Sequence, residues 1–215
     1  MRLPIATLLL ALFTGLAAHA EPPAMNAQLF DAARRGDTAA IHQALAQGAA
    51  LEARDDQGQT ALLVATHGNQ VQAAKALIEA GADVNAKDAI QDSPYLYAGA
   101  RGLNEILQLT LAHGADLNST NRYGGTALIP AAERGHVETV QLLIDAGVEV
   151  NHLNRLHWTA LLEAVILGDG GPRHVEIVRR LLAAGADPTI ADKDGVTALE
   201  HARQRGYQAM VALLE

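Results

Sequence analysis

Cysteine is absent from the 215-residue sequence. Its absence excludes disulfide bonds, thiolate metal ligands, a cysteine nucleophile and a lipid-modified N-terminal cysteine. Aromatic residues are also scarce, at 3%, although hydrophobic residues make up 49% of the chain. A chain rich in alanine, leucine and glycine but poor in aromatic residues suits small helices that pack closely together.

Positive charge is in deficit as well, with a formal net charge of -8. This charge argues against a sequence-independent grip on nucleic-acid phosphates. The sequence contains no phosphate-binding P-loop, no G-x-S-x-G nucleophile motif and no H-E-x-x-H pair among its nine histidines. The segment "DKDG" at 192–195 lacks the other acidic ligands of a calcium loop. The sequence therefore predicts a protein that is not an enzyme and needs no metal or cofactor.

The N-terminus has the pattern of a secretory signal peptide. A positive end at Arg2 precedes an uncharged apolar run over residues 3–18, and small residues follow at Ala18 and Ala20. The competing interpretation is a membrane anchor, but the run is short for a membrane span. We therefore expect residues 1–20 to be removed after Ala20, which leaves a periplasmic protein without a membrane segment.

Small-residue signals recur through the rest of the chain at a fixed spacing. Four glycines lie 33 residues apart from one to the next, at Gly48, Gly81, Gly114 and Gly147. A second signal precedes each of the later units in the segments "GQTALL", "QDSPYL", "GGTALI", "HWTALL" and "GVTALE". Self-similarity at this period indicates an array of stacked supersecondary units.

The unit that begins at Thr126 shows how one repeat is built. Thr126 is expected to cap a first helix with its side chain, and Gly135 to end that helix in a left-handed conformation. Residues 137–144 place apolar side chains on one face of a second helix, which Gly147 ends in the same way. Two such helices cannot bury their apolar faces alone, so neighbouring units must stack.

These segments resemble the ankyrin repeat, and the resemblance covers residues 26–215. It implies an all-α solenoid of stacked helix-turn-helix units with short hairpin fingers, and a non-enzymatic role in binding a partner protein, as a monomer. The resemblance to exported bacterial ankyrin-repeat proteins further implies a supporting role in oxidative-stress defence. The expected units are a tail at 21–25, an N-terminal cap at 26–54, repeats at 55–87, 88–120, 121–153 and 154–191, and a C-terminal cap at 192–215.

Positions at or beside the finger tips are those that serve partner binding in proteins of this kind. Here they carry bulky apolar groups and arginines, which are favoured anchors of protein interfaces. The expected protein-binding residues are Ile90, Arg122, Tyr123, Arg155, Leu156 and Trp158. The alternative for Trp158 is that it packs against its own neighbours.

The 33-residue spacing is broken once, by five extra residues at 169–173 between two helices. The expected role is that of a tolerated surface loop, because lengthening a loop costs little free energy. The alternative is a small-molecule, anion or metal-binding module formed by the loop at 168–174. Its candidate anion-binding residues are Gly170, Gly171, Arg173 and His174, since glycine N–H groups and cations at a helix N-terminus attract anions.

Overall fold

The structure is a computed structural model that describes residues 22–215. It contains twelve helices: α1 Pro22–Arg35, α2 Thr38–Ala46, α3 Ala61–His67, α4 Val71–Glu79, α5 Pro94–Arg101, α6 Asn104–Ala112, α7 Leu128–Glu133, α8 Val137–Asp145, α9 Ala160–Ile166, α10 Pro172–Ala183, α11 Ala198–Arg205 and α12 Gln208–Leu214. Over these residues the only strand-like pairing is an isolated antiparallel bridge between Ala191 and Thr197. The all-α solenoid expected from the sequence is confirmed.

The helices form two layers that run the length of the stack. Each odd-numbered helix packs against the next odd-numbered one, and each even-numbered helix against the next even-numbered one. Alanines occupy many of the buried positions. At Gly99 on α5, an added Cβ atom would lie 2.8 Å from the Cβ of Ala127 in the next unit. Small side chains therefore set the close spacing of the units, which accounts for the scarcity of aromatic residues.

The odd-numbered helices make up the first layer, and four of them begin with a side-chain cap. The hydroxyls of Thr60, Ser93, Thr159 and Thr197 each accept a hydrogen bond from the backbone N–H three residues on. At α11 the carboxylate of Glu200 also accepts from the N–H of Thr197, which completes a capping box. These caps hold each finger in a fixed position relative to the helix that follows it.

The predicted cap at Thr126 is wrong. The Thr126 hydroxyl is buried without a hydrogen-bond partner, and α7 begins only at Leu128. The reason is Pro130, which lacks the N–H that bonds back to the cap carbonyl in the other units. The N–H of Ile129 bonds to the Thr126 carbonyl oxygen instead, at 3.3 Å. The start of α7 is therefore tighter than the start of its neighbours.

Left-handed residues separate the two helices of several units, as the sequence predicts. Gly135 has a φ of 73° and Gly102 a φ of 70°. Asn69 occupies the equivalent position with a φ of 50°. Asparagine tolerates this conformation because its short polar side chain bonds locally.

Residues 22–25 are not a tail, contrary to the expectation from the sequence. Helix α1 begins at Pro22, and proline is well suited to the first turn of a helix. Met25 is 3% exposed and packs in the core with Leu29. The predicted signal peptide at 1–20 lies outside the described residues. Within the part that the structure describes, no helix is both long and apolar enough to cross a membrane.

Candidate protein-binding fingers and groove

A single polar side chain organises each finger. In the third finger, Oδ1 of Asn121 accepts hydrogen bonds from the N–H groups of Tyr123 and Gly125, at 2.9 and 3.1 Å. The same pair of bonds, two and four residues on, is made at the other fingers by Asp55, Asp88, Asn154 and Asp192. Each tip is thereby a rigid turn that presents its outer side chains in a defined direction.

Two tips carry a non-glycine residue in the left-handed region. Gln91 has a φ of 69° and His157 a φ of 68°, where the corresponding tips at 58, 124 and 195 have glycine. Such a conformation is strained for a residue with a Cβ atom. This feature was not predicted from the sequence, although its signal is visible as a glycine missing from "DAIQDS" and "NRLHWT".

The fingers are linked into a row by hydrogen bonds. The N–H of Arg155 donates to the carbonyl oxygen of Tyr123 at 2.9 Å, and its Nη1 donates to the carbonyl oxygen of Arg122 at 2.7 Å. Nζ of Lys193 in turn donates to the carbonyl oxygen of Arg155 at 3.0 Å. The exposed guanidinium group of Arg155, an expected partner-binding residue, thus also bridges two neighbouring fingers.

Three of the expected apolar residues are exposed and one is not. Ile90 is 52% exposed, Tyr123 59% and Leu156 50%. Trp158 is half-buried and packs against the hydrophobic core, as in the alternative interpretation of this residue. The guanidinium carbon of Arg122 lies 5.0 Å from the ring centre of Tyr123, and its Nη1 lies 3.4 Å from a carboxylate oxygen of Asp92.

A groove of about 530 Å³ lies between the middle fingers and the first-layer helices. Arg122, Tyr123 and Leu156 contribute to its finger side, and Ile129 and Pro130 to its helix side. Of the expected binding residues, the structure thus brings three together at one groove. Ile90, Arg155 and Trp158 do not line it.

A buried carboxyl group forms part of the groove. Glu163 on α9 is 6% exposed, and its Oε1 accepts a hydrogen bond from Nδ2 of Asn154 at 2.7 Å. Burial, reinforced by the nearby Glu133, raises the pKa of Glu163 to about 7. The side chain joins the fourth finger to its helix. This role of Glu163 was not predicted from the sequence, although a charged residue inside the apolar run "ALLEAVI" is its signal.

The extra residues at 169–173 form a hydrogen-bonded turn that leads into α10. Pro172 and Arg173 belong to the first turn of α10, and Oδ1 of Asp169 accepts from the N–H of Gly171 at 2.9 Å. This bond, followed by the contact with His174, lowers the pKa of Asp169. A carboxylate of the protein itself therefore lies at the helix N-terminus where the alternative interpretation would place an anion.

His174 is structural in this arrangement. It is 6% exposed, its Nδ1 lies 2.7 Å from Oδ1 of Asp169, and its Nε2 lies 2.9 Å from the carbonyl oxygen of Glu133. Both ring nitrogens are thus occupied by the protein. The geometry does not favour the anion-binding role suggested for Gly170, Gly171, Arg173 and His174. Among residues 22–215 no group of three or more His, Asp or Glu side chains has the arrangement of a metal site.

Comparison with known proteins identifies the class. A family model described as ankyrin repeats (3 copies) matches residues 6–93 and 95–192. The match spans most of the chain and agrees with the stacked helix pairs and fingers of the structure. The chain therefore belongs to the ankyrin-repeat family.

Individual relatives support the same assignment. The crystal structure of an ankyrin repeat domain from Acinetobacter baumannii AYE is 64% identical, with a TM-score of 0.85 over 86% of this chain and 95% of that one. The structure of EF0377, an ankyrin repeat protein, is 44% identical, with a TM-score of 0.84 over 88% and 96% of the two chains. The putative ankyrin repeat protein YahD of Escherichia coli (strain K12) is 48% identical over 52 residues. That match covers 24% of this chain and about a quarter, 26%, of the relative.

Proposed function

We propose that this protein is a non-enzymatic scaffold that binds a partner protein through the tips of its middle fingers and the groove beside them. Ankyrin repeats are generally protein-binding modules, which supports the broad role. The observation that carries the site is the exposure of Tyr123 and Leu156, at 59% and 50%, beside a groove that they line together. Exposed apolar side chains that lie together often mark partner sites, whereas single exposed apolar residues are common on any surface.

The rigid construction of the fingers supports the same role. Tyr123 and Leu156 lie within turns that Asn121 and Asn154 hold by hydrogen bonds, and Arg122 stacks on the Tyr123 ring. Side chains held in this way lose little conformational freedom when a partner binds, so more of the contact energy appears as affinity. Aromatic residues beside arginines are frequent energetic centres of protein interfaces.

Partner capture tests the proposal. We expect Tyr123→Ala combined with Leu156→Ala to abolish retention of a partner from a periplasmic extract, because loss of one anchor typically costs about 2 kcal/mol or more. Leu167→Ala is the matched control, since Leu167 is 50% exposed but does not line the groove. Normal binding by the double variant, with an unchanged circular-dichroism spectrum, would show that the partner binds elsewhere.

The proposal places the protein in the periplasm. It rests on the apolar run and small-residue pattern that end at Ala20. We expect N-terminal sequencing of the exported protein to begin at Glu21. A product that keeps Met1 and sediments with membranes would contradict periplasmic export.

A supporting role in oxidative-stress defence belongs to the proposal through the resemblance to exported bacterial ankyrin-repeat proteins. A strain that lacks the protein should survive hydrogen peroxide less well. Restoring the wild-type protein should rescue it, and restoring the Tyr123→Ala/Leu156→Ala variant should not. Equal survival of all strains would remove this role and leave partner binding to be judged by capture.

A further inference from the structure

A second pocket, of about 440 Å³, adjoins the groove at the C-terminal ends of the first-layer helices. Four of its six lining residues are basic, namely His67, Arg101, Arg134 and His136. The other two are Tyr97 and Leu103, and no acidic residue lines it. In a chain with a net charge of -8, a pocket with two arginines and no carboxylate in its lining is unexpected. We refer to His67, Arg101, Arg134 and His136 as the basic pocket.

The two arginines of the basic pocket are exposed. Over residues 22–215 neither Arg101 nor Arg134 makes an ion pair with a carboxylate. Nη1 of Arg134 donates to the carbonyl oxygen of Ala100 at 2.6 Å, which holds it across the junction of two units. The guanidinium carbon of Arg101 lies 5.7 Å from the ring centre of Tyr97. Both cations are therefore positioned by the fold.

Burial lowers the pKa of both histidines, and at His136 neighbouring arginines add to this effect. Burial first, and then Arg134, Arg173 and Arg101, lower the pKa of His136. Burial also lowers the pKa of His67, where Arg101 acts in the same direction and Asp88, Asp92 and Asp55 oppose it. The ring of His67 packs at 4.1 Å from that of Tyr97, and its Nε2 is buried without a partner.

The basic pocket is continuous with the groove of the proposed function. Tyr97, Arg101 and Arg134 line both cavities. The groove adds apolar surface from Tyr123 and Leu156. It also contains three acidic residues: Asp92, which is paired with Arg122, Glu163, which accepts a hydrogen bond from Asn154, and Glu133. A segment lying along the groove would meet apolar contacts first and unpaired cations next.

We propose that the basic pocket binds an acidic side chain of the partner, so that the partner segment carries an aspartate or glutamate beside the apolar residues held between the fingers. This inference rests on the proposed function and adds the chemistry of the partner to it. The planar guanidinium groups suit a carboxylate, which they bind through directed hydrogen bonds. Charge complementarity of this kind also selects against basic partners and accelerates encounter.

Selection from a random dodecapeptide display library tests the inference without knowledge of the natural partner. Peptides selected on the wild-type protein should be enriched in aspartate and glutamate next to apolar residues. Their affinity should fall about tenfold or more for Arg101→Gln combined with Arg134→Gln, because hydrogen bonds to charged groups are lost. The matched control, Arg203→Gln with Arg205→Gln, removes the same charge at the end of α11 and should change affinity less than twofold.

A nuclear magnetic resonance readout locates the contact. The pKa of His136 should rise when an acidic peptide binds, because a carboxylate offsets the field of Arg101, Arg134 and Arg173. It should stay unchanged when the glutamine version of the same peptide is added. Inorganic phosphate serves as the small-anion probe and should bind more weakly than the acidic peptide.

Each other outcome contradicts the inference. Selected peptides that lack acidic residues, yet depend on Tyr123 and Leu156, would overturn the acidic partner and leave the scaffold intact. Phosphate binding as tight as peptide binding would identify a small-anion site rather than a docking surface. Selection of no peptide, together with no response to phosphate, would overturn the basic pocket as a site, while partner capture still decides the scaffold.

Discussion

At the scale of single residues, the units at 154–191 and 192–215 join finger to helix with opposite chemistry. In the unit at 192–215 Asp192 organises the finger, and its Oδ2 lies 2.8 Å from Nε2 of His201 on the helix. In the unit at 154–191 the finger residue is the neutral Asn154, and the helix residue is the acid Glu163. Donor and acceptor have exchanged places. The exchange leaves the buried carboxyl group of Glu163 without a cationic partner of its own.

This arrangement predicts a pH-dependent stability that a single substitution removes. The pKa of Glu163 is raised from 4.5 to about 7 in the folded state, so the protonated acid favours folding. Its contribution is full below about pH 4.5 and is lost as the pH rises to about 7, by about 3 kcal/mol. Glu163→Gln keeps the oxygen that accepts from Asn154 but cannot ionise. We expect it to reduce the loss of unfolding free energy between pH 4.5 and 8, as measured by urea unfolding.

The comparison between variants isolates the effect from other groups. The lowered pKa values of His67 and His136 act in the opposite direction, since folding then loses stability as the pH falls below about 6.5. They are present in both proteins and cancel in the difference. Glu105→Gln, at an exposed position on α6, should leave the pH profile of the wild type unchanged. Equal profiles for wild type and Glu163→Gln would mean that Glu163 ionises normally.

At the scale of elements, the sequence predicts what local rules control. The glycines that end helices and the capping residues at Thr60 and Thr159 follow from backbone geometry, and the structure has them in place. Thr126 fails because Pro130, four residues away, removes the donor on which the usual first turn depends. The insertion at 169–173 is a different case. It packs partly against Tyr207 of the next unit, and the spacing of residues in one unit carries no information about such contacts.

Those contacts change the expectation for the turn between α9 and α10. The hydroxyl of Tyr207 in the last unit donates to the carbonyl oxygen of Gly168 at 3.1 Å. A Cβ atom at Gly170 would lie 2.5 Å from Cδ1 of the same tyrosine. The turn therefore packs between units. Deleting residues 169–173 should lower the thermal midpoint, contrary to the tolerance expected from the sequence.

A glycine substitution measures this packing directly. We expect Gly170→Ala to destabilise the protein through both its φ of 69° and the clash with Tyr207, which typically adds about 1–3 kcal/mol. Gly206→Ala is the matched control, because Gly206 has a φ of 71° but no atom within 4 Å of an added Cβ. The difference between the two variants in urea unfolding gives the cost of the clash. Equal losses would show that the turn is free of Tyr207 in solution.

At the scale of the whole molecule, the sequence predicted the exposed residues of the candidate site but not the groove that they line. The repeat identified finger tips as exposed, and Tyr123 and Leu156 are exposed there. Which of those tips share a groove depends on how neighbouring units stack, as does the burial of Trp158. The basic pocket likewise draws on residues from three units, so no single repeat displays it. Both candidate cavities are therefore formed where neighbouring units meet.

The same dependence on neighbours predicts how the stack fails when an end unit is removed. Residues 192–215 form the last helix pair, in which α11 packs against α9 and α12 against α10. Met210 is fully buried there, and Tyr207 covers the turn at 168–170. A chain that ends at residue 191 would expose the apolar faces of α9 and α10 that α11 and α12 cover, because each unit buries its apolar faces against its neighbours. We expect the truncated chain to unfold at a lower temperature and to self-associate in light scattering.

A point substitution separates the loss of the unit from the loss of one contact. Tyr207→Ala removes the ring that packs on Gly170 but keeps Met210 and the rest of the cap. It should lower the midpoint by less than the truncation does and leave the protein monodisperse. In a stack whose units interact only with their neighbours, either change should spare hydrogen-exchange protection in α3 and α4 more than in α9 and α10. Uniform loss of protection from α3 to α10 would instead mean that the whole array unfolds as one cooperative unit.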